Sequence, residues 1–243
     1  MKELIKKILR ESLITLEIDL TQNLKYDRLT RKIIKNYVKR NYNCVDVGCH
    51  KGEILDLMLK NAPGGKHYAF EPIPYLYEEL ESKYKHKANI FPYALSDKNG
   101  ETKFQLVKNA PAYSGLKSRS YDISNPNIVE INVELKTMDE IIPLDEKVHF
   151  IKIDVEGGEF GVLKGAKKIL KANKPIILFE CGKGASDYYG TGPSDLFSFI
   201  TNEIGIEIYT LQSFVKNKQP LTELEFENHF NNNEEYYFIA GAN

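Results

Sequence analysis

Three acidic residues stand where short apolar segments of the chain end. Glu71 closes one such segment, Asp154 closes a second and Glu180 closes a third. In an open parallel sheet, ligands bind beyond the carboxyl ends of the strands, so carboxylates at these points would face a bound ligand. A carboxylate placed there can accept hydrogen bonds from hydroxyl groups, take a proton from a reacting group, or bind a divalent cation.

A turn with two glycines follows the first apolar segment, in the sequence Asp46-Val-Gly-Cys-His-Lys-Gly52. Gly48 lets the backbone turn sharply and approach a ligand, and Gly52 opens the next helix without a Cβ that would collide with it. Glu71 comes 19 residues after Gly52, in the register in which dinucleotide-binding folds place a carboxylate against the hydroxyls of a ribose. The turn and the carboxylate together predict a cofactor that contains a nucleoside.

The composition of this turn favours S-adenosylmethionine over a dinucleotide. Binding of a pyrophosphate favours the pattern Gly-x-Gly-x-x-Gly, in which the backbone and a helix N-terminus cradle the phosphates. Here Cys49, His50 and Lys51 stand where that pattern has another glycine. The carboxylate of Asp46 would repel a phosphate but suits a cationic sulfonium or ammonium group. An NAD-dependent oxidoreductase on a similar fold is therefore the alternative.

Short apolar strands alternate with helical stretches from residue 43 onward, which is typical of a mostly parallel sheet with helices on both faces. The pattern predicts seven strands, at residues 44–48, 67–71, 89–94, 150–154, 175–180, 206–210 and 236–240. Ahead of them, apolar residues at helical spacing predict two helices. We therefore expect an N-terminal helical segment, residues 1–40, followed by one α/β domain, residues 41–243.

An insertion interrupts the alternation. Residues 101–107 and 128–135 alternate between apolar and polar at strand period, which predicts a β-hairpin inserted at about residues 100–136. Its loop, residues 108–127, is long and rich in Ser, Asn, Pro and Tyr, and loops of this kind often serve as lids or binding loops. We expect this loop and the later loop 181–193 to shape an acceptor pocket. Three tyrosines are the candidate substrate-binding residues, either stacking on a sugar ring or filling local packing gaps: Tyr113, Tyr188 and Tyr189.

Seven short motifs occur in an order that resembles the FkbM family of methyltransferases. They are Val45-Asp-Val-Gly48, Phe70-Glu-Pro72, Ala94-Leu-Ser-Asp-Lys-Asn-Gly100, Thr137-Met-Asp139, Lys152-Ile-Asp-Val-Glu-Gly-Gly-Glu159, Val162-Leu-Lys-Gly-Ala166 and Pro175–Glu180. The likeness covers roughly residues 43–181. It implies a Rossmann-like class I methyltransferase fold that uses S-adenosylmethionine, commonly for O-methylation of a hydroxyl on a sugar, another secondary metabolite or a glycan precursor.

The resemblance also implies where the cofactor lies, with the segment around Tyr93 and Ala94 near the adenine. The candidate cofactor-binding residues are Asp46, Gly48, Cys49, Gly52, Glu71, Pro72, Tyr93, Ala94 and Asp154. The sequence departs from the family at Cys49 and His50, which replace the usual Ala and Asn, and at Gly158, which replaces an Ala. The first departure leaves open a non-catalytic domain that binds a nucleoside without turnover.

Methylation of a hydroxyl requires alignment of the reactants and removal of a proton. The candidate bases are Asp154, Glu180 and His50. We favour Asp154, which acts either as the base or, together with Glu180, as a ligand of magnesium or calcium. The alternative is that the two carboxylates bind hydroxyls of the substrate.

The composition excludes some classes of partner. Lys and Arg total 33 against 34 for Asp and Glu, giving a net charge of −1, which offers no overall field to gather nucleic acid. The three cysteines form no Cys-x-x-Cys pair, and no apolar run approaches the roughly 20 residues that cross a bilayer. We expect a cytoplasmic protein with a small-molecule or saccharide acceptor, no nucleic-acid partner and no transmembrane segment; a homo-oligomer stays open.

Overall fold

The structure is a computed structural model that describes residues 2–119, 121 and 123–241. Its ten strands are β1 (Cys44–Val47), β2 (His67–Phe70), β3 (Asn89–Phe91), β4 (Tyr93–Leu95), β5 (Gly100–Val107), β6 (Ile128–Lys136), β7 (Phe150–Ile153), β8 (Ile176–Glu180), β9 (Glu207–Thr210) and β10 (Tyr237–Gly241). Seven of them form the main sheet, in the order β3-β2-β1-β7-β8-β10-β9. Only β10 runs antiparallel to its neighbours, so the predicted mostly parallel seven-stranded sheet is confirmed.

The remaining three strands form a small sheet in the order β4-β6-β5. The predicted hairpin is confirmed, because β5 and β6 pair antiparallel over their length. The single strand predicted at residues 89–94 is wrong: it is two strands, β3 in the main sheet and β4 in the small one. Pro92 lies between them and has no backbone N–H for a ladder, which explains the break.

Within the described residues, ten α-helices surround the sheets. They are α1 (Lys2–Thr15), α2 (Gln22–Tyr37), α3 (Glu53–Asn61), α4 (Pro74–Tyr84), α5 (Met138–Ile141), α6 (Glu159–Gly165), α7 (Lys167–Asn173), α8 (Pro193–Ser198), α9 (Leu211–Val215) and α10 (Glu223–Asn232), with a π-helical stretch Phe199–Ile204 after α8. The helix predicted from about residue 159 to 172 is broken between α6 and α7. The carboxylate of Asp139 accepts hydrogen bonds from the first free N–H groups of α7, those of Lys168 and Ile169, so α7 begins as a separately capped helix.

The core lies on both faces of the main sheet, because successive strand residues point to opposite sides. On β7, Ile151 and Ile153 face a cluster with α6, α7 and α8, while Phe150 faces α2 and α9. Helix α2 therefore packs directly on the sheet through its buried residues, Tyr26, Leu29, Thr30, Ile33 and Ile34. The boundary predicted between residues 40 and 41 stays a prediction. Across the part of the chain that the structure describes, no helix is both long and apolar enough to span a membrane.

Candidate active site

The turn after β1 is shaped by close contacts within the protein. Gly48 has φ +71°, and a Cβ there would lie 2.0 Å from the carbonyl oxygen of Asp154 at the end of β7. Gly52 has φ +76°, and a Cβ there would lie 2.3 Å from the hydroxyl of Tyr84 on α4. The hydroxyl of Tyr84 donates to the carbonyl oxygen of Gly52 at 2.8 Å. The sequence predicts that Gly52 makes room for the ligand, whereas in the structure the side chain next to Gly52 is Tyr84.

A cleft opens at the carboxyl ends of β1, β2 and β7, and it encloses about 540 Å³ of space, part of it open to solvent. The opposite wall comes from the inserted hairpin and its loop, through Phe104, Pro111, Ala112, Ser114 and Leu116. Seven predicted site residues meet in this cleft: Gly48, His50, Glu71, Pro72, Tyr93, Ala94 and Asp154. The inserted loop therefore forms part of the site, with residues 120 and 122 outside the described residues.

Glu71 is held rigidly at the edge of the cleft. Its Oε2 accepts the backbone N–H of His50 at 2.9 Å, and its Oε1 accepts that of Ile73 at 3.0 Å. The side chain is buried, which raises its pKa to about 7. Each carboxylate oxygen has two lone pairs, so Glu71 can still accept two hydroxyl groups after these bonds are made.

His50 occupies the turn in a left-handed conformation, with φ +48°. Its ring lines the cleft, and its Nε2 is buried with no hydrogen-bond partner among the described residues. Burial lowers the pKa of the ring, and the nearby charges of Lys51 and Lys152 lower it further. His50 is therefore a neutral ring with one nitrogen left for a ligand.

A buried lysine lies directly behind the turn. Lys152 on β7 donates to the carbonyl oxygen of Gly48 at 2.9 Å, and its Nζ lies 3.6 Å from Asp46 Oδ1 and 3.4 Å from Asp154 Oδ2. Burial alone would lower the pKa of Lys152, but the charges of Asp154 and Asp46 outweigh it and hold the pKa above its usual range. Lys152 begins one of the sequence motifs, but the sequence did not predict it as a site residue.

Asp46 lies behind the cleft wall in this arrangement. It is fully buried, and neither carboxylate oxygen has a hydrogen-bond partner among the described residues. Burial raises its pKa, while the charge of Lys152 opposes that rise. Cys49 is likewise buried, and burial raises the pKa of its thiol well above the usual range. Asp46, Cys49 and Gly52 are thus not among the described residues that line the cleft.

Two of the three candidate bases, Asp154 and Glu180, interact with each other at the ends of β7 and β8. The hydroxyl of Tyr237 donates to Asp154 Oδ2 at 2.5 Å. Burial raises the pKa of Glu180 well above its usual range, and the charges of Asp154 and Glu159 add to this. Burial would also raise the pKa of Asp154, but Lys152 and the bond from Tyr237 hold it below its usual range. The pair therefore shares one proton, with Asp154 as the ionised member.

The structure offers little support for a metal at this pair. Within residues 2–119, 121 and 123–241, no group of three or more His, Cys, Asp or Glu side chains is arranged to hold a metal ion. The proton held by Glu180, together with Lys152 and Tyr237, already balances the charge of Asp154. The described residues therefore do not support a metal ion bound by Asp154 and Glu180.

The three predicted substrate tyrosines surround the inserted loop. The hydroxyl of Tyr189 accepts the backbone N–H of Lys117 at 3.1 Å, and the Lys117 ammonium donates to the carbonyl oxygen of Tyr188 at 3.1 Å. The guanidinium of Arg119 lies over the ring of Tyr113, with 5.5 Å from its carbon to the ring centroid, and it pairs with Glu156. These contacts fasten the loop over the strand ends. Whether the rings also bind substrate stays a prediction.

Comparison with known proteins decides the family. Residues 46–204, more than half of the chain, match the model of the methyltransferase FkbM domain. The chain belongs to the FkbM methyltransferase family. The resemblance seen in the sequence motifs is thereby confirmed.

A solved FkbM structure agrees with this assignment at the level of the fold. The crystal structure of methyltransferase FkbM from Methylobacillus flagellatus KT matches 98% of this chain and 60% of its own, with 14% identity and a TM-score of 0.51. This chain therefore spans less than two thirds of that protein's length. At such low identity, the likeness concerns the fold alone.

Two further structures are more distant. SMU.1697c from Streptococcus mutans, in complex with S-adenosylhomocysteine, matches 88% of this chain and 95% of its own, with 10% identity and a TM-score of 0.45. The sugar N-methyltransferase KedS8 from Streptoalloteichus sp. matches 62% of this chain and 45% of its own, with 8% identity and a TM-score of 0.33. No curated protein matches the sequence significantly.

Proposed function

We propose that this chain methylates a hydroxyl group of a sugar, another secondary metabolite or a glycan precursor, with S-adenosylmethionine as the methyl donor. The observation that carries this proposal is the position of Asp154, an ionised carboxylate that shares one cleft with the nucleoside-binding features Gly48 and Glu71. Such an arrangement places a proton acceptor beside the cofactor, as methylation of a hydroxyl requires.

The residues of the cleft fit a methionine nucleoside. Glu71 has lone pairs left for the two ribose hydroxyls, and the side chains around Tyr93 and Ala94 form an apolar wall that suits adenine. The Nε2 of His50, which lines the cleft, is a buried polar atom without a hydrogen-bond partner among the described residues. Buried polar groups are usually hydrogen-bonded, so this nitrogen is available to a bound ligand. When bound, S-adenosylmethionine supplies a methyl group on a positively charged sulfur.

The residues of this chain then have distinct tasks. Asp154 takes the proton that the acceptor hydroxyl loses, while Glu180 holds its own proton and hydrogen-bonds to Asp154. Lys152 keeps Asp154 ionised at neutral pH. The inserted loop forms one wall of the cleft, and we propose Tyr113, Tyr188 and Tyr189 as the acceptor contacts.

Calorimetric titration with S-adenosylmethionine, S-adenosylhomocysteine and NAD, run in parallel, tests the cofactor. We expect both methionine nucleosides to bind and NAD to give no heat. Binding of NAD alone would favour the oxidoreductase alternative, and silence with all three would refute the proposed cofactor.

Turnover is tested by transfer of a labelled methyl group to a panel of simple glycosides and to the matching amino sugars. We expect the label in the hydroxyl compounds, and we expect Asp154→Asn to abolish it while S-adenosylhomocysteine still binds. Full turnover by that variant would show that Asp154 is not the base. Cofactor binding without turnover of any compound would favour the non-catalytic alternative.

A further inference from the structure

We infer that Tyr237 is a positioning residue, which fixes the carboxylate of Asp154 toward the reacting atoms. This inference rests on the proposed function, because it gives Tyr237 a task only if Asp154 faces the methyl group. The FkbM match ends at residue 204, so Tyr237 lies beyond the part of the chain that the family model covers.

The contact between the two residues is direct. The hydroxyl of Tyr237 donates to Asp154 Oδ2 at 2.5 Å, within the range of a charge-assisted bond from a hydroxyl to a carboxylate. Tyr237 is the partner of Glu180 in the register of β10 and β8. The strand that runs antiparallel thus brings Tyr237 beside both members of the carboxyl pair.

Without Tyr237, the orientation of Asp154 would depend on Lys152 and Glu180. That ammonium lies 3.4 Å from Asp154 and 3.6 Å from Asp46, so it is shared between two carboxylates. The side chain of Asp154 is 28% exposed, so packing does not restrict its rotation on all sides. A second donor on the same oxygen, Oδ2, restricts that rotation, and small errors of orientation are costly in catalysis.

Tyr237 is itself anchored by helix α2. The ring of Tyr26 packs against it, with ring centroids 5.2 Å apart. The hydroxyl of Tyr26 donates to Glu235 at 2.6 Å and accepts the backbone N–H of Tyr236 at 3.1 Å. The ammonium of Lys25 binds the same carboxylate of Glu235 at 2.5 Å. These contacts tie the strand β10, and with it Tyr237, to a helix that precedes the family match.

The test uses two ligands that need no acceptor. Sinefungin is an analogue of S-adenosylmethionine in which a carbon that carries an amino group replaces the sulfur and its methyl, whereas S-adenosylhomocysteine keeps the sulfur and has no group at the methyl position. The charged amine of sinefungin reports on a carboxylate placed near the methyl position, so the measured quantity is the ratio of the two affinities, from calorimetry at pH 7.5. The variants are Tyr237→Phe, Asp154→Asn and both together. Tyr209→Phe is the control, because Tyr209 is buried on the neighbouring strand β9.

The ratio is the affinity for sinefungin divided by the affinity for S-adenosylhomocysteine. We expect Asp154→Asn to lower this ratio by about tenfold, and Tyr237→Phe to lower it by about threefold to tenfold. Affinity for S-adenosylhomocysteine should stay within about twofold of the original value in each variant, which also shows that the fold is intact. Because Tyr237 acts through Asp154, the double variant should match Asp154→Asn alone. Tyr209→Phe should leave both affinities unchanged.

Each other outcome has one meaning. A ratio unchanged by Tyr237→Phe but lowered by Asp154→Asn overturns the role of Tyr237 and leaves the proposed function standing. A ratio unchanged by Asp154→Asn overturns the placement of Asp154, and the inference falls with it. Equal loss of both ligands in Tyr237→Phe shows a purely structural role. Failure of the unmodified protein to bind either ligand refutes the proposed function itself.

Discussion

Asp46 and Lys152 face each other on the adjacent strands β1 and β7, with 3.6 Å between Oδ1 and Nζ. Their side chains are 0% and 7% exposed, so neither charge is solvated by water. Lys152 Nζ also lies 3.4 Å from Asp154 Oδ2, so one ammonium serves two carboxylates, one behind the cleft and one that lines it. The stability of this layer depends on a single side chain.

Replacement of Lys152 by methionine should destabilise the protein by about 3–5 kcal/mol, because it leaves buried carboxylates without a counter-charge. The double variant Asp46→Asn/Lys152→Met should recover part of this loss, since it removes one of the two stranded charges. The free energy of unfolding in urea measures both effects. Additive losses in the double variant would show that Asp46 and Lys152 are not coupled.

Glu71→Gln should weaken binding of S-adenosylhomocysteine by about tenfold at pH 8. The pKa of Glu71 is raised to about 7 by burial, and ribose hydroxyls donate more strongly to the ionised form. Binding by the unmodified protein should therefore strengthen as the pH rises from 6 to 8, and Glu71→Gln should lose this dependence. Calorimetry at four pH values gives the comparison; a variant with the same pH dependence would remove Glu71 from the ribose site.

Glu159→Gln should make the protein more stable at pH 8 than the unmodified chain. Burial raises the pKa of Glu159 to about 7, above the ordinary value of 4.5. The folded state then binds more protons than the unfolded state between these values, and stability falls as the pH rises through them. A glutamine does not ionise, so the variant should not lose this stability as the pH rises.

The substitution is well matched, because the Oε1 of Glu159 accepts both backbone N–H groups, those of Val155 and Gly157, and a glutamine can keep both bonds. Melting temperatures at pH 5, 6, 7 and 8 measure the slope, with the exposed Glu78→Gln as control. An unchanged slope in Glu159→Gln would contradict the assignment.

Gly165→Ala and Gly161→Ala should have opposite effects, although both glycines lie in α6. A Cβ at Gly165 would lie 1.9 Å from the backbone carbonyl oxygen of Ser96, while one at Gly161 would lie 3.4 Å from the Ser96 hydroxyl. We expect a loss of about 2 kcal/mol or more at Gly165 from overpacking. At Gly161, we expect a gain of up to about 1 kcal/mol from helix propensity. Urea unfolding measures the free energy of unfolding of the two variants. Similar free energies for both would contradict the prediction of opposite effects.

The cleft residues Gly48, Glu71 and Asp154 were predictable because the signal for each is local. A short apolar segment that ends in a carboxylate or a glycine marks a strand end, and parallel strands bring such ends to one edge of a sheet. Pro92 is a sequence signal for a strand break, since proline cannot continue a ladder. The apolar residues on both sides of Pro92 nevertheless favoured a single strand.

Tyr237, Tyr84 and the role of Lys152 were not predictable in this way. Tyr237 meets Asp154 only because β10 inserts between β8 and β9, which is a fact of topology rather than of pattern. Tyr84 fills the space beside Gly52 from a helix 32 residues further along. A lysine on a strand is usually exposed, and Lys152 is buried only because two carboxylates flank it.

The place of β10 in the sheet also constrains the order of assembly during synthesis. Both of its neighbours, β8 and β9, are earlier in the sequence, and β9 joins the sheet only through β10. A ribosome-bound chain that has released β9 but not β10 thus exposes the open edge of β8, and β9 has no partner in the sheet. The same strand delivers the hydroxyl that Asp154 receives. Pairing of β10 with β8 therefore closes the sheet and, in the same step, brings Tyr237 to Asp154.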